Sequence, residues 1–571
     1  MKNSEISKVL AIIGLYENLL NGGFKARAYD NANRVVDSLS EEISIIYERG
    51  GLDEILKIPG IGQGIGKKIE EMLTTGKSKH LENLKKKIPV DVEELMGLEG
   101  VGPKSVKTLW QKLKIKSISE LEEAARSHKI QEISGFGEKS EQDIIRSIEF
   151  YKKHKGRFLI GQMFPVLKEI EKRLAKIPGV KKAILCGSSR RMKETIGDGD
   201  FLVQTNNPKK VIDFFTSMPE IIHVYSSGKT KTFVKLDNGL DVDLQIVTTN
   251  SFGAASQYFT GNKEHNIRLR KISNEKGWKL NEYGMFKGDK FLYGKTEEEI
   301  YQSLGMEWIP PEMRENVGEI ELAQKKKIPK LIKYDSLKGD LQMHSTWSDG
   351  EHTISDMANA AKQFGLEYIA ITDHSKRLSI AGGIDEKQLE KQSEEIDKIN
   401  QNIDGIKVLK GTEVDILKDG SLDFSNDVLS KLDIVGASIH SHFNLSKKEQ
   451  TKRVLKVLEN PQVNILFHPT SRLIQKREPC DLDMDLVCDK AKQNNVILEI
   501  DASAGRLDLK DDHIRFAKSK GCRFVIDSDA HSPEEFEFLR LGVGQARRGW
   551  LEKKDVINTN SLEKFLRLIK K

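Results

Sequence analysis

From Asp340 onward seven short apolar runs recur: DLQMH, YIAITDH, IKVLKGTE, DIVGASIH, VNILFH, VILEID and RFVIDSDAH. Helical stretches such as ISDMANAAKQFG and DMDLVCDKAKQNN separate them. Runs this short and apolar predict strands buried on both faces, and their alternation with helices predicts parallel βαβ units. Five of the seven end in His and a sixth in Glu. A lone His on an apolar run is more often a satisfied core residue. Repeated placement at strand ends is what a βα barrel presents on its active face. Of the chain's 13 His, eight (His344, His352, His374, His440, His442, His468, His513 and His531) follow residue 335, so metal-binding capacity is concentrated there.

The stretch CGSSRRMKETIGDGDFLV, Cys186 to Val203, joins a Gly-Ser turn, a basic cluster and two alternating carboxylates. KKAILC before it and Phe201 to Val203 within it read as strands, which places Asp198 and Asp200 on one face at a strand's start. Two such carboxylates repel in a dry site, and a hard divalent cation taking oxygens from both resolves the repulsion. A third carboxylate is available in GLDVDLQIV, as Asp241 or Asp243. A lone GDGD could also be a polar turn, so its weight comes from its surroundings.

Residues 1 to about 85 have apolar positions at helical spacing. ILKIPGIGQGIGKKIEEMLTTG then places a helix start inside a glycine-rich loop, a design that recurs in LMGLEGVGPKSVKTLWQKL and QEISGFGEKSEQDIIRSI. Neither GxGxxG nor GxxxxGK[ST] fits Gly60 to Gly66, and no strand precedes them, so dinucleotide and P-loop readings fail. Three tandem copies point to helix-hairpin-helix modules. Their glycines, Gly60, Gly62, Gly64, Gly100, Gly102, Gly135 and Gly137, let backbone N–H groups at helix starts approach DNA phosphates without reading sequence.

With 571 residues, several domains are expected. Charged residues at 31% and no apolar run of bilayer length argue against a membrane protein. The N-terminal helix lacks a cleavage signal, and a cytoplasmic chain is expected. Cys186, Cys480, Cys488 and Cys522 lack CxxC spacing, which argues against disulfides and thiolate zinc. A net charge of +6 is mild, but lysine clusters at 85–87, 181–182 and 325–327 become informative beside hairpin modules. Between about 156 and 246 the pattern is α/β. SFGAASQYFTGNKEHNIRLRKIS passes from a loop into a basic helix, GWKLNEYGMFKGDKFLYG resembles a small meander, and 325–338 is polar and basic like a linker.

GSSRR, GDGD, VDLQIV and YFTG in series resemble a bacterial family X DNA polymerase, in which a polymerase beta-like core is fused to a polymerase-and-histidinol-phosphatase (PHP) domain. The resemblance covers nearly the whole chain. It implies a multidomain α+β and α/β fold: a helical helix-hairpin-helix N-terminal region, a nucleotidyltransferase palm with thumb, and a C-terminal (β/α)7-like PHP barrel. The expected segments are a lyase-like DNA-binding domain (1–85), hairpin fingers (86–155), palm (156–246), thumb (247–324), linker (325–338) and PHP hydrolase (339–571). Asp198, Asp200 and Asp243 match the catalytic metal carboxylates, Asp243 lying 15 residues before Tyr258. Arg157, Gly187, Ser188 and Arg191 match triphosphate contacts, and Tyr258, Phe259 and Gly261 the sugar-facing turn. Asn266 and Arg270 match positions near the nascent base pair and template, and Lys263 stands where vertebrate relatives carry an acidic residue. Gly228, Thr230 and Lys231, in GKTK, resemble a DNA-backbone-contacting loop.

In the N-terminal module Lys25 and Tyr29 match 5′-phosphate contacts and Lys68 the Schiff-base lysine, with simple phosphate binding by Lys67 and Lys68 as the alternative. Metal-ligand roles carry over onto His344, Asp349, His374, Glu413, His440, His468, Asp529 and His531. The family pattern opens HxH, whereas here the first position is Gln342, whose amide oxygen is a poorer zinc ligand than imidazole. Arg506 matches a phosphate contact.

The implied function is DNA-directed nucleotide addition into short gaps during repair, joined to 3′–5′ exonuclease activity and possible abasic-site cleavage or 3′-end cleaning. Deoxynucleoside triphosphates and gapped or nicked duplex DNA are the implied partners. Magnesium or manganese suits the polymerase site, and manganese or zinc the PHP site. Two rivals stand beside this reading: a template-independent nucleotidyltransferase of tRNA type, opposed by the hairpins and YFTG, and a DNA-end scaffold with a dead PHP half, opposed by eight retained ligands.

Overall fold

In the computed structural model, which describes every residue except 2, 22–23, 38, 40, 97, 99–100, 155 and 570–571, every element assigned from Asn3 to His154 is a helix. Two units separate, 1–155 with 475–477 and 156–474 with 478–571.

In the first unit the three glycine-rich turns lead into the helices Gln63–Thr75, Pro103–Leu113 and Glu138–His154. Gly60 and Gly135 adopt φ of 88° and 95°, a region that disfavours residues with a side chain. Each hairpin contributes equivalent residues to one apolar core: Ile55 and Ile69 from the first, Leu95 and Leu109 from the second, Ile130 and Ile144 from the third. Burial of each is worth about 1.5–3 kcal/mol. The repeat is therefore a repeat of packing as well as of turns. Gly100 lies outside the described residues.

In the second unit a five-stranded sheet has the order Val180–Leu185, Asp198–Thr205, Asp241–Val247, Lys231–Leu236, Ile221–Ser227. Asp198–Thr205 and Asp241–Val247 run parallel, pairing Asp198 with Asp241 and Asp200 with Asp243. The helices Ile160–Ala175 and Pro208–Thr216 share an apolar cluster with this sheet through Leu167, Ile170, Val211 and Phe215.

SFGAASQYFTG, expected as a loop, forms the helix Phe252–Thr260 instead. Phe252 through Gln257 are all buried, so no one-sided apolar period marks this helix in the sequence. The strands Lys279–Asn281, Gly284–Lys287 and Lys290–Tyr293 form the antiparallel meander. The helix Glu297–Ser303 begins with Glu297, whose oxygens accept from Arg314 at 2.9 Å each and from Arg190 at 2.7 Å.

The segment 325–338 is not a solvated tether. Leu331 and Ile332 are buried, and Ile332 N–H donates to the Leu551 carbonyl at 2.9 Å. Tyr334 packs against the guanidinium groups of Arg540 and Arg547. Exposed lysines dominate the composition here and mask these anchors.

The last seven strands, Gly339–Asp340, Tyr368–Ile371, Lys407–Asp415, Ile434–Ser438, Ile465–Leu466, Ile497–Asp501 and Phe524–Asp527, are all parallel and lie in chain order. Bonds from His344 N to the Ala530 carbonyl (2.8 Å) and from Asp529 N to the Gln342 carbonyl (3.0 Å) join the first run to the last and nearly close a barrel. Alternate strand residues diverge: Tyr368, Ala370, Leu409, Phe467 and Val525 share one apolar cluster, while Ile369, Ile371, Val408 and Ile526 join another with the outer helices. A Cβ on Gly436 would strike the Phe467 ring, so a glycine makes room for the aromatic. Ile474, Leu507 and Leu541 of this barrel share a core with Ile160 and Phe164 beside the five-stranded sheet.

Candidate active sites

Strand pairing assembles the first site. Neighbouring parallel strands lie about 4.8 Å apart, and the register sets two aspartates of one strand directly beside two of the other. Their basic neighbours divide the second pair. Asp241 is held by Lys235 at 2.9 Å and Tyr225 Oη at 3.3 Å, whereas Asp243 meets Lys231 at 3.2 Å. Asp243 lies beside Asp200 in the register, and its charge acts on both carboxylates of the first pair. Partial burial and then Asp243 raise Asp198, and burial, Asp198 and Asp243 push Asp200 up to about 7. A cluster of carboxylate oxygens that resists full ionisation fits a hard divalent cation.

A cavity of about 570 Å³ opens over Asp198 and Asp200 and is lined by Arg157, Gly187, Ser188, Arg191, Tyr258, Phe259, Gly261, Asn266 and Arg270. The structure therefore brings together every residue expected to touch the nucleotide, along with Lys263 and with Lys193 and Asn262, which carry no nucleotide role in the sequence pattern. Gly187 has φ of 59°, and a Cβ there would overlap Asp200 Oδ2, so the Gly-Ser turn can pass this close only as glycine. Arg157 is oriented by Thr195, donating to its hydroxyl at 2.9 Å and its carbonyl at 2.6 Å. Arg191 donates to the Thr260 carbonyl at 2.5 Å, and Asn266 to the Tyr258 carbonyl at 2.7 Å. Both bonds fix the turn after the buried helix. Gly228 and Thr230 sit in the turn before the strand Lys231–Leu236, which Lys231 opens, and Gly228 N–H donates to the Lys231 carbonyl at 2.8 Å.

The second site collects at the C-terminal ends of the barrel strands. Ligand atoms of three overlapping sets, His344/Asp349/His374/His531, His374/Glu413/His440 and His344/Glu413/Asp529, lie within 4.8 Å of one another. Among the described residues no other His/Cys/Asp/Glu group meets that spacing, the Asp198/Asp200/Asp243 set included. His468 Nε2 lies 2.7 Å from Glu413 Oε1, on the same carboxylate that His440 reaches at 3.1 Å. Burial alone would lower His374, but Glu413 and Asp349 push it up to about 10; burial is likewise overcome at His531, which Asp349 and Asp529 push up to about 9. Glu413 is held well below the carboxylate range by His374 and His440 despite its burial. Protons here hold together a set of ligands that divalent cations could hold equally well. Glu413 Oε2 and the Nδ1 atoms of His344, His374 and His440 are buried without a well-directed hydrogen bond, which fits them to metal.

Gln342 is buried, and its amide nitrogen, oriented to satisfy its surroundings, donates to Glu499 at 2.5 and 3.0 Å. Glu499 also accepts from His468 N–H at 2.5 Å. It was missed from sequence, although it sits in VILEID, one of the recurrent strand runs. Arg506 lies between Asp501 (3.3 Å) and Asp529 (3.5 Å), at the edge of the ligand cluster.

Family models match residues 1–78 (helix-hairpin-helix domain), 92–149 (SAM-like helix-hairpin-helix tandem), 255–315 (DNA polymerase beta thumb) and 340–509 (PHP domain). The DNA polymerase/3′-5′ exonuclease PolX of Bacillus subtilis is 37% identical over 568 residues, covering 99% of this chain and 98% of that protein. The chain belongs to the bacterial family X DNA polymerases that carry a PHP domain. DNA polymerase lambda of Arabidopsis thaliana is 25% identical across 55% of this chain and 62% of its own length. A probable phosphatase of Thermoanaerobacter sp. is 30% identical across 31% of this polymerase and 72% of its own length.

In the polymerase's helical unit the space where a Cβ would stand at Gly62, Gly64, Gly102 and Gly137 is open, so helix starts are accessible to a phosphate. The third start differs from the others by carrying Glu138 and Glu141 in its first turn. Glu141 is committed inward, accepting from Ile130 and Gln131 N–H at 3.1 Å each. Lys25 is exposed, Tyr29 is buried against His80, and Lys68 donates to the Gly64 carbonyl at 3.0 Å with its ammonium 5.8 Å from the Tyr29 ring. Lys68 is only half-buried, which suits phosphate binding better than the desolvation a nucleophilic amine needs. Among the described residues no helix is long and apolar enough to cross a membrane.

Proposed function

We propose that this DNA polymerase fills short gaps in duplex DNA during repair, taking deoxynucleoside triphosphates in the cavity over Asp198 and Asp200, and that its 3′–5′ exonuclease resides in the barrel. The observation carrying the first half is the strand register that sets Asp243 beside Asp200 beneath a cavity lined by three arginines. Asp198, Asp200 and Asp243 would hold magnesium or manganese, and the His344–Glu413–Asp529 cluster manganese or zinc. When bound, such cations supply Lewis acidity and lower the pKa of a coordinated hydroxyl or water. Arg157 and Arg191, each oriented by a carbonyl, offset the charge of the phosphates with preset geometry. Tyr258 and Phe259, with ring centroids 5.2 Å apart, flank the sugar side, and Asn266, held by Gln257 at 2.6 Å, faces the base pair.

In the barrel, Arg506 binds the scissile phosphate while buried carboxylates keep the imidazoles oriented. The division into lyase-like, finger, palm, thumb and PHP segments follows the family pattern, with 325–338 as a packed strap. A cytoplasmic location and gapped or nicked DNA as substrate belong to the same reading.

The test uses a gapped, 5′-labelled duplex with manganese, with and without nucleotides. Asp243→Ala is expected to abolish extension and keep shortening, and Asp529→Ala to do the reverse. Loss of both activities in either variant would overturn the assignment of two sites.

A further inference from the structure

Arg548 ends the barrel helix Leu539–Arg548, and its side chain is 2% exposed. Its Nη2 donates to Asp511 Oδ2 within the barrel at 2.6 Å. Its Nη1 leaves the barrel altogether, donating to the backbone carbonyl of Arg191 at 2.9 Å and to Glu315 Oε1 at 3.1 Å. The same Glu315 oxygen accepts from Arg191 Nε at 3.0 Å. Its other oxygen accepts from Asn262 Nδ2 at 3.0 Å and lies 3.8 Å from Lys193 Nζ.

One largely buried carboxylate is therefore shared by three cations. Arg191 and Lys193 line the nucleotide cavity, and the third cation comes from the nuclease domain. An anion at that place opposes what a triphosphate needs. Left with Arg191 and Lys193 alone, Glu315 would draw both guanidinium and ammonium toward itself and compete with phosphate oxygens for them. A guanidinium is the fitting third partner, because it stays charged when buried and its fork reaches Asp511, Glu315 and a carbonyl together. The adjoining surface is packed as well: Met192 approaches Gly544 too closely for a Cβ there, and Arg472 reaches Glu194 at 2.8 Å.

We propose that Arg548 is a positioning residue of the polymerase: a PHP-domain guanidinium that absorbs the charge of Glu315 and so leaves Arg191 and Lys193 available to the incoming triphosphate. The inference rests on reading the cavity as the triphosphate site. It makes the nuclease domain part of the nucleotide-binding machinery and ties the two activities physically.

The experiment is single-nucleotide addition on gapped DNA by the full chain, with KM for the nucleotide and Kd for the DNA measured separately. Losing a charge-assisted bond should raise the nucleotide KM of Arg548→Ala roughly tenfold while the DNA Kd holds, with Arg548→Lys in between. Adding Glu315→Gln to Arg548→Ala should restore KM, because the charge needing an offset is gone. A double variant as impaired as Arg548→Ala would overturn the proposal and leave Arg548 as a packing residue. If Arg548→Ala does not fold, Glu315→Gln alone decides: an unchanged or lowered KM supports the proposal and a raised one refutes it. Arg191→Ala separates the two layers. A KM indifferent to it overturns the cavity assignment and the proposal together, whereas a KM raised by Arg191→Ala but not by Arg548→Ala overturns the proposal alone.

Discussion

Asp200 shows how a single residue couples metal to pH. Burial, Asp198 and Asp243 push its carboxyl up to about 7, so the folded apoprotein favours the protonated form more than the unfolded chain does, where the value is 3.8. The stabilisation linked to that proton is complete below about pH 4 and is lost as pH rises through about 7. A divalent cation acts in the opposite sense, since it must displace the proton. The magnesium concentration giving half-maximal nucleotide addition is therefore expected to fall by up to roughly tenfold per pH unit below about 7 and to level off above it. Metal titrations of single-nucleotide addition at pH 6, 7 and 8 check this. A half-saturation point unchanged between pH 6 and 7 would contradict it.

At the scale of elements, a helix start becomes a phosphate site only if its first turn is free of competing carboxylates. Gln63–Thr75 and Pro103–Leu113 have no acidic residue there, whereas Glu138–His154 has Glu138 facing solvent beside a buried Glu141. The first two hairpins should thus carry the grip on DNA and the third should mainly complete the core. Gly62 has an extended φ of −82°, and both Gly62 and Gly137 have open space beside them, so an aspartate is sterically accepted at each. An acid near a helix start also stabilises the helix, by about 0.3–1 kcal/mol, so lost binding would not reflect unfolding. Gly62→Asp is expected to weaken gapped-DNA binding about tenfold at low salt, and Gly137→Asp several times less. Fluorescence anisotropy across a salt series measures both. Equal losses would return the third hairpin to the binding surface.

Across the whole second unit, the segments that build the nucleotide cavity are locked by a buried ionic knot at Glu297. Arg314 is fully buried, and Arg190 follows Ser188 and Ser189 of the Gly-Ser turn, so one carboxylate ties that turn to the region after the meander. Burial works against the charge on Glu297, but the two guanidinium groups hold its carboxyl far below the usual range. Removing it strands two cations, which costs about 3–5 kcal/mol for a buried pair. Glu297→Gln should lower the denaturant midpoint of this unit accordingly and leave the helical unit's transition unmoved. An unchanged midpoint would show that the knot relaxes into water.

Much of this protein is carried by local order in the chain. The period of the barrel strands, the tandem hairpins and the GDGD pair each lie within a few consecutive residues, where the alternation of a strand or the start of a helix dictates geometry. The choice of Asp243 over Asp241 had to come from family spacing, because both share one face of one strand. In the fold it is the parallel register that separates them, setting Asp243 beside Asp200 and Asp241 beside Asp198. The buried helix Phe252–Thr260 left no period, since burial on all sides erases the amphipathic signal. Glu499 beneath Gln342, and Glu315 between Arg191 and Arg548, were beyond any sequence pattern. Partners hundreds of residues apart meet only because the barrel closes and packs on the five-stranded sheet. Electrostatic pairing depends on distance in space, and that distance exists only once the chain has folded.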